Sequence, residues 1–236
     1  MSYIKEKIVI LSGGLATRLR PATEKIPKSL LDISGKPFIT RQLELLKNKG
    51  FQNIIICAGF LGERIKEFIK DGKEYELNIE YSFDGKTLLG TGGALKKASN
   101  LVSDTFFVLY GDSYLNVDYK LIIDSFKPLN FSGLMTVFKN KNKWDKSNVW
   151  FEDDKIIQYD KKDKNEKMHY IDYGLGILKK SVFERYFSGK SHFDLEEVYK
   201  TLIKNNELGG YEVFERFYEI GSLEGLNETR DYFNNK

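Results

Sequence analysis

Leu11-Ser12-Gly13-Gly14-Leu15-Ala16-Thr17-Arg18-Leu19-Arg20-Pro21-Ala22-Thr23-Glu24-Lys25-Ile26-Pro27-Lys28 is the stretch on which the reading of this chain turns. It follows a short, β-branched apolar run at residues 7–12, which reads as a buried strand stopped by two glycines. Paired glycines let the backbone approach a ligand closely and aim successive N–H groups at an anion. The turn beyond them can add the positive end of a helix dipole, and Arg18 and Lys28 supply fixed positive charge. The segment therefore reads as a phosphate-binding loop suited to a triphosphate. A Walker A loop needs Gly-x-x-x-x-Gly-Lys-Ser/Thr, and a dinucleotide fingerprint needs Gly-x-Gly-x-x-Gly with an acidic residue closing the second strand. Neither is present, and the second strand closes on Cys57-Ala58-Gly59.

Working outward, residues 53–58, 79–83 and 105–110 read as further strands, and residues 38–49, 63–70 and 92–100 as helices between them. Such alternation implies right-handed βαβ units and a largely parallel sheet, an α/β fold. The second half is less regular. Strands are expected at 133–138, 148–151, 156–159, 171–178 and 211–214, with helices near 182–187 and 195–205, forming a mixed subdomain laid over the sheet. The Lys/Asn/Asp-rich stretches 139–146 and 161–167 read as solvated hairpin loops. No repeat or linker divides the chain, so residues 1–236 are expected to form one domain.

Composition excludes several function classes. No apolar run approaches the roughly 20 residues of a bilayer-spanning helix. The net charge of +3 is dispersed over 37 basic and 34 acidic residues, which argues against a nucleic-acid partner. The charged segment 1–7 leads straight into a strand, leaving no apolar stretch for a signal peptide, and a cytoplasmic location is expected. The single cysteine, Cys57, lies in an apolar run and reads as a buried thiol rather than a nucleophile. His169 and His192 are the only histidines, which is little material for a histidine metal site or a Ser-His-Asp triad.

The loop has the pattern Gly-Gly-x-x-Thr-Arg-Leu-x-Pro-x-Thr followed by Pro-Lys, at Gly13, Gly14, Thr17, Arg18, Leu19, Pro21, Thr23, Pro27 and Lys28. In this it resembles the sugar-1-phosphate nucleotidyltransferases, and the resemblance continues through most of the chain. That family implies a Rossmann-like mixed, mostly parallel sheet flanked by helices, with the active site at the carboxyl ends of the strands. It divides the chain into a nucleotide-binding half, residues 1–125, and an acceptor-binding half, residues 126–236. Leu11, Ser12, Gly13, Gly14, Thr17, Arg18 and Lys28 are then expected to bind nucleotide. The fourth strand ends Tyr110-Gly111-Asp112, and the resemblance makes Asp112 a ligand of Mg²⁺, which prefers carboxylate and phosphate oxygens. The family's late Trp-x-Asp-x-Gly-Thr segment corresponds to Phe217-Tyr218-Glu219-Ile220-Gly221-Ser222. Glu219 thus takes the place of a second metal-binding aspartate, with a methylene more of reach.

Thr91-Gly92-Gly93-Ala94 resembles the family's Gly-Thr-Gly-Gly segment near the nucleoside, so Thr91 and Gly92 are expected to bind nucleotide; Thr91 also reads as a helix N-cap. Asp84-Gly85 precedes it, where base-contacting residues vary among family members. On the acceptor side, Tyr159-Asp160-Lys161 falls where the family has Glu-Lys-Pro, and Ile171-Asp172-Tyr173-Gly174 where it has Ile-Asn-Ala-Gly. The expected acceptor residues are Gly111, Asp160, Lys161, Asp172 and Gly174. An ionised Asp172 only accepts hydrogen bonds, favouring a substrate that presents hydroxyl or ammonium donors.

The resemblance implies an enzyme that joins an NTP to a sugar 1-phosphate and releases pyrophosphate, with Mg²⁺ as cofactor and Arg18, Lys28 and Asp112 as catalytic residues. Homodimers are common in the family, and a role in polysaccharide synthesis follows by analogy. The pattern leans toward guanylyltransferases of heptose or mannose 1-phosphate. Uridylyl- or cytidylyltransferases acting on amino-sugar phosphates or phosphocholine stay open. So does a nucleotide-sensing module without turnover, since Glu219 and residues 160–162 depart from the pattern.

Overall fold

The computed structural model describes residues 3–235; Met1 and Ser2 of the charged amino-terminal segment, and Lys236, lie outside the described residues. In chain order the strands are β1 (Ile8–Ser12), the two-residue pair β2 (Asp32–Ile33) and β3 (Lys36–Pro37), β4 (Asn53–Ala58), β5 (Asn78–Phe83) and β6 (Thr105–Tyr110). They continue with β7 (Ser113–Tyr114), β8 (Gly133–Phe138), β9 (Val149–Glu152), β10 (Lys155–Tyr159), β11 (Ile171–Lys179), β12 (Leu208–Val213) and β13 (Tyr218–Glu219). The helices are α1 (Phe38–Asn48), α2 (Gly62–Ile69), α3 (Gly90–Ala98), α4 (Tyr119–Phe126), α5 (Ser181–Tyr186), α6 (Leu195–Lys204) and α7 (Leu223–Asn234).

Nine strands make one sheet in the order β5-β4-β1-β6-β11-β8-β12-β10-β9. The first-half strands pair in parallel as the βαβ alternation requires, with β1 between β4 and β6 and β5 outside β4. β11 runs antiparallel to both β6 and β8, β8 and β12 are parallel, and β10 is antiparallel to β12 and β9. Seven strands therefore share one direction, with β11 and β10 reversed. The second half extends the sheet instead of lying over it as a subdomain, which corrects the sequence reading. The reason is β11: seven of its nine residues are buried, so it has no polar face to offer solvent and is stable only with neighbours on both edges and cover on both faces.

Alternation along the parallel strands sorts their side chains to two sides. Ile8, Ile10, Ile54, Ile56, Phe107 and Leu109 join the core under α1, α2 and α4, and Val9, Ile55, Cys57, Phe106 and Val108 join the one under α3, α5 and α6. A third cluster joins Leu19 of the glycine loop and Leu31 to Phe38, Tyr114, Ile220 and Leu226, tying the loop to α7. Among the described residues no helix is long and apolar enough to cross a membrane.

Two helices absent from the sequence reading, α4 and α7, close the fold. Asp118 caps α4 by accepting from the Leu121 N–H at 3.0 Å, and Ser222 caps α7 by accepting from the Gly225 N–H at 2.9 Å. At the centre of the first core, the fully buried Phe107 ring meets Phe51 edge-on at 5.3 Å and Tyr119 at 6.0 Å. Phe107→Ala should lose about 3–5 kcal/mol of unfolding free energy, read as a lower denaturant midpoint at unchanged slope.

Candidate active site

Because β1, β4 and β6 are parallel, their carboxyl ends open on one edge of the sheet. Beyond β1 the chain turns through Gly13 and Gly14, and the Gly13 carbonyl accepts from the Phe60 N–H at 3.1 Å. Gly111 sits pressed against β1: its N–H donates to the Leu11 carbonyl at 3.0 Å, and a Cβ there would overlap Leu11 O and Ser12 Oγ. Asp112 follows immediately. Lys28 reaches it from the end of the loop, Nζ to Oδ2 at 2.6 Å.

A cavity of about 280 Å³ lies over this edge, lined by the expected Leu11, Ser12, Gly13, Gly14, Lys28, Thr91 and Asp112, and also by Gly111. Its further wall comes from Cys57, Asp84, Leu88, Ala94, Tyr110 and Asp194. The Ser12 hydroxyl is buried there without a partner in the protein, a polar atom placed for a ligand. Burial first, and then the nearby Asp84 charge, push the Cys57 thiol well above its usual range, so it is no nucleophile. Burial likewise raises the Asp84 carboxyl, against the Leu89 N–H bond and the Lys97 charge.

A second cavity, about 570 Å³, adjoins the first and shares Tyr110 and Asp112 with it. Of the residues expected to bind the acceptor, Lys161, Asp172 and Gly174 line it, and so does Glu219, expected as a metal ligand. Asp172 accepts from the hydroxyls of Tyr159 at 3.1 Å and Tyr110 at 3.4 Å and from the Gly174 N–H at 3.0 Å. Burial raises its carboxyl, and Lys161 and these three donors work against the rise. The Lys161 ammonium stands over the Tyr110 ring at 5.4 Å.

A two-stranded ribbon brings Ser113 and Glu219 to the second cavity. β13 pairs antiparallel with β7, setting Glu219 opposite Ser113, and the Ile220 N–H donates to the Asp112 carbonyl at 2.9 Å. Glu219 Oε2 accepts from the Gly221 N–H, and Oε1 accepts from the Ser222 hydroxyl at 2.7 Å. A Cβ on Gly221 would lie 2.6 Å from Glu219 Oε2 and 3.1 Å from Asp112 Oδ2, so both carboxylates face the same point. Burial is the main reason the Glu219 carboxyl is raised, with the Asp112 charge adding to it.

Several expected residues lie elsewhere. Arg18 lines the second cavity, not the first. Thr17 is exposed in the 3-10 turn Thr17–Leu19 and lines neither cavity. Gly92 lines neither either; it donates to the Phe193 carbonyl at 2.9 Å, and its missing Cβ makes room for the Phe193 ring. Thr91 is not the N-cap of α3, which begins at Gly90; its hydroxyl accepts from the Leu195 N–H at 2.7 Å and so caps α6. Gly111, expected among the acceptor residues, lines the first cavity and not the second, packed against Leu11. Asp160 turns away from both cavities, accepting from the Lys162 and Asp163 N–H groups and pairing with Lys200 at 2.6 Å. These contacts, Lys200 first, hold its carboxyl down at about 2.

The polar stretches read as solvated loops also contribute to the site. Trp144, Asp145, Lys146 and Lys164 line the second cavity. Arg216, absent from the sequence reading, lies there too, its guanidinium 3.5 Å above the Trp144 ring and paired with Glu228 at 2.5 Å. Its place three residues before Glu219 was the available signal.

A family model described as nucleotidyl transferase matches residues 7–235. The chain belongs to this nucleotidyltransferase family. Its relatives include the D-glycero-alpha-D-manno-heptose 1-phosphate guanylyltransferase of Campylobacter jejuni, 33% identical over 191 residues, covering 80% of this chain and 82% of the relative. A bifunctional protein GlmU of Methanococcus maripaludis is 31% identical over 236 residues, covering 97% of this chain but 54% of that protein. Among solved structures, HddC from Yersinia pseudotuberculosis superposes with a TM-score of 0.80 at 27% identity, covering 97% of this chain and 99% of that one. As a nucleotidyltransferase, the chain has the large mixed, mostly parallel sheet flanked by helices that the resemblance implies.

The placement of Asp160 makes it a loop-former of this nucleotidyltransferase. Asp160→Ala should speed amide exchange at Lys162 and Asp163 about tenfold, the effect of roughly 1.4 kcal/mol for a lost hydrogen bond, while leaving triphosphate affinity unchanged by calorimetry.

Proposed function

We propose that this enzyme transfers a nucleoside monophosphate from an NTP to a sugar 1-phosphate, the triphosphate occupying the first cavity and the sugar phosphate the second. The observation that carries this reading is the wall the two cavities share, Tyr110 and Asp112, with Lys28 bonded to Asp112. Substrates bound on either side would meet there with their phosphates adjacent. The sugar-phosphate oxygen attacks the α-phosphorus in line, the bond from that phosphorus to the β-bridging oxygen breaks, and pyrophosphate leaves. Catalysis is then positioning and charge, with no covalent enzyme intermediate. Lys28 meets charge developing at the α-phosphate, Lys161 orients the incoming phosphate, and Arg18 adds positive charge from the second-cavity side.

The residues also fit a magnesium ion. Asp112 and Glu219 present hard carboxylate oxygens to a common point. Among the described residues no group of three or more His, Cys, Asp and Glu side chains could hold a metal, so the remaining ligands would come from phosphate and water. Bound there, Mg²⁺ would neutralise phosphate charge at the junction.

For the base, guanine is the proposal. Asp84 and Asp194 line the first cavity, and guanine presents two adjacent donors, N1–H and the N2 amino group, to a carboxylate. The Campylobacter relative is named a guanylyltransferase, and the Yersinia HddC structure is also known complexed with GMP-PN. The acceptor is proposed to be a heptose or mannose 1-phosphate, with Asp172 accepting from a sugar hydroxyl.

The deciding assay is pyrophosphate release with Mg²⁺, offering GTP, UTP, CTP, ATP and dTTP against hexose, amino-sugar and heptose 1-phosphates and phosphocholine. Release with GTP and a heptose or mannose phosphate is expected. Preference for UTP or CTP would overturn the base assignment, and silence across the panel despite triphosphate binding would overturn turnover itself. Arg18→Ala should cut the rate about 10²–10³-fold with the melting temperature unchanged.

A further inference from the structure

Glu219 stands where the family pattern has the shorter aspartate, and the structure shows how the added methylene is accommodated. The side chain folds back against the first turn of α7, with Oε1 beside Gly225. Gly225 is buried, and a Cβ on it would overlap Glu219 Oε1 outright and lie 2.8 Å from the Glu219 carbonyl. The Ser222 hydroxyl completes the arrangement, donating to Oε1 at 2.7 Å while accepting from the Gly225 N–H at 2.9 Å. One hydroxyl therefore caps the helix and fixes the rotation of the carboxylate. With Oε1 held this way, Oε2 is the oxygen turned toward Gly221 and Asp112.

We infer that Gly225 and Ser222 are positioning residues for the divalent cation: Gly225 supplies the space that a glutamate at 219 requires, and Ser222 sets the angle at which Glu219 faces Asp112. The inference rests on the metal reading above. It makes the glutamate and the glycine an interdependent pair, since an aspartate at 219 ends one methylene earlier and leaves the space at 225 unused. Outer partners that orient a metal-binding carboxylate are typically worth about 10–100-fold in metal affinity.

The test is a mutant cycle read by Mn²⁺ binding, following the free-ion electron paramagnetic resonance signal of the full chain, with thermal melting as the check on folding. Gly225→Ala should weaken Mn²⁺ about tenfold or more in the Glu219 protein. The carbonyl contact means that α7 must ease in any Gly225→Ala protein, so the decisive comparison is made in the Glu219→Asp background. There the same substitution should change Mn²⁺ affinity less than about threefold, leaving a coupling of roughly 0.7 kcal/mol or more. Ser222→Ala should also weaken Mn²⁺ binding, and Ser222→Thr, which keeps the hydroxyl, should restore it.

Equal losses from Gly225→Ala in both backgrounds, or Mn²⁺ affinity unmoved by Gly225→Ala and Ser222→Ala, would overturn the inference while leaving the metal site standing. Wild-type Mn²⁺ binding that is absent, or indifferent to Asp112→Asn, would instead overturn the metal reading beneath it.

Discussion

The Gly111 amide bonded to the Leu11 carbonyl, with no room between them for a side chain, is the contact on which the site depends. It carries the β1–β6 ladder one residue past its last register pair, Leu11 with Tyr110. The glycine loop leaving β1 and the carboxylate leaving β6 are thereby set side by side. From the other direction, the Ile220 N–H holds the Asp112 carbonyl. A carboxylate whose backbone is fixed on both sides loses little freedom when substrate arrives, which is the structural content of preorganisation.

This explains why the first half of the molecule was legible in the sequence. Ile8–Ser12, Asn53–Ala58 and Thr105–Tyr110 are short, two-face-buried strands separated by helices, and right-handed parallel pairing leaves little choice about where their ends lie. Gly13, Gly14, Lys28 and Asp112 could be assigned to one edge without coordinates. The sheet's continuation was harder to see. β11 reverses direction, and its partners β6 and β8 are set by long-range pairing that no local pattern encodes. α4 did carry a signal, Asp118 as cap and Tyr119, Ile122, Ile123 and Phe126 at helical spacing. α7 carried less, because only Gly225, Leu226 and Thr229 are buried along twelve residues.

The second cavity exposes a different limit. Lysine-rich loops look alike whether they face bulk water or a polar ligand, since in both cases long side chains keep charged ends hydrated. Lys146, Lys161 and Lys164 line the cavity while Lys162 does not, and Asp160 fixes the turn after Lys161 by accepting from the Lys162 and Asp163 amides. Thr91 and Gly92 show the opposite limit, Thr91 lining the first cavity while Gly92 does not. Their residue types suit phosphate, but the fold uses them to dock α3 against residues 193–195.

The charges at the junction bear on why a glutamate can serve at 219. With all three groups in their charged forms, Lys28, Asp112 and Glu219 would sum to one net negative charge, and burial beside Asp112 disfavours the Glu219 anion. A divalent cation between the two carboxylates would reverse the local sign to a net positive charge, relieve their mutual repulsion and free Lys28 to exchange its carboxylate partner for a phosphate oxygen. On the proposed metal reading, Lys28 would offset Asp112 in the absence of the cation and would be available to substrate in its presence. On this reading metal and triphosphate assist each other's binding through Asp112, and Glu219 must reach the shared point to complete the exchange. Its longer side chain does so by folding under α7, so the identity of the residue at 225 is tied to that at 219 by volume, not by chemistry.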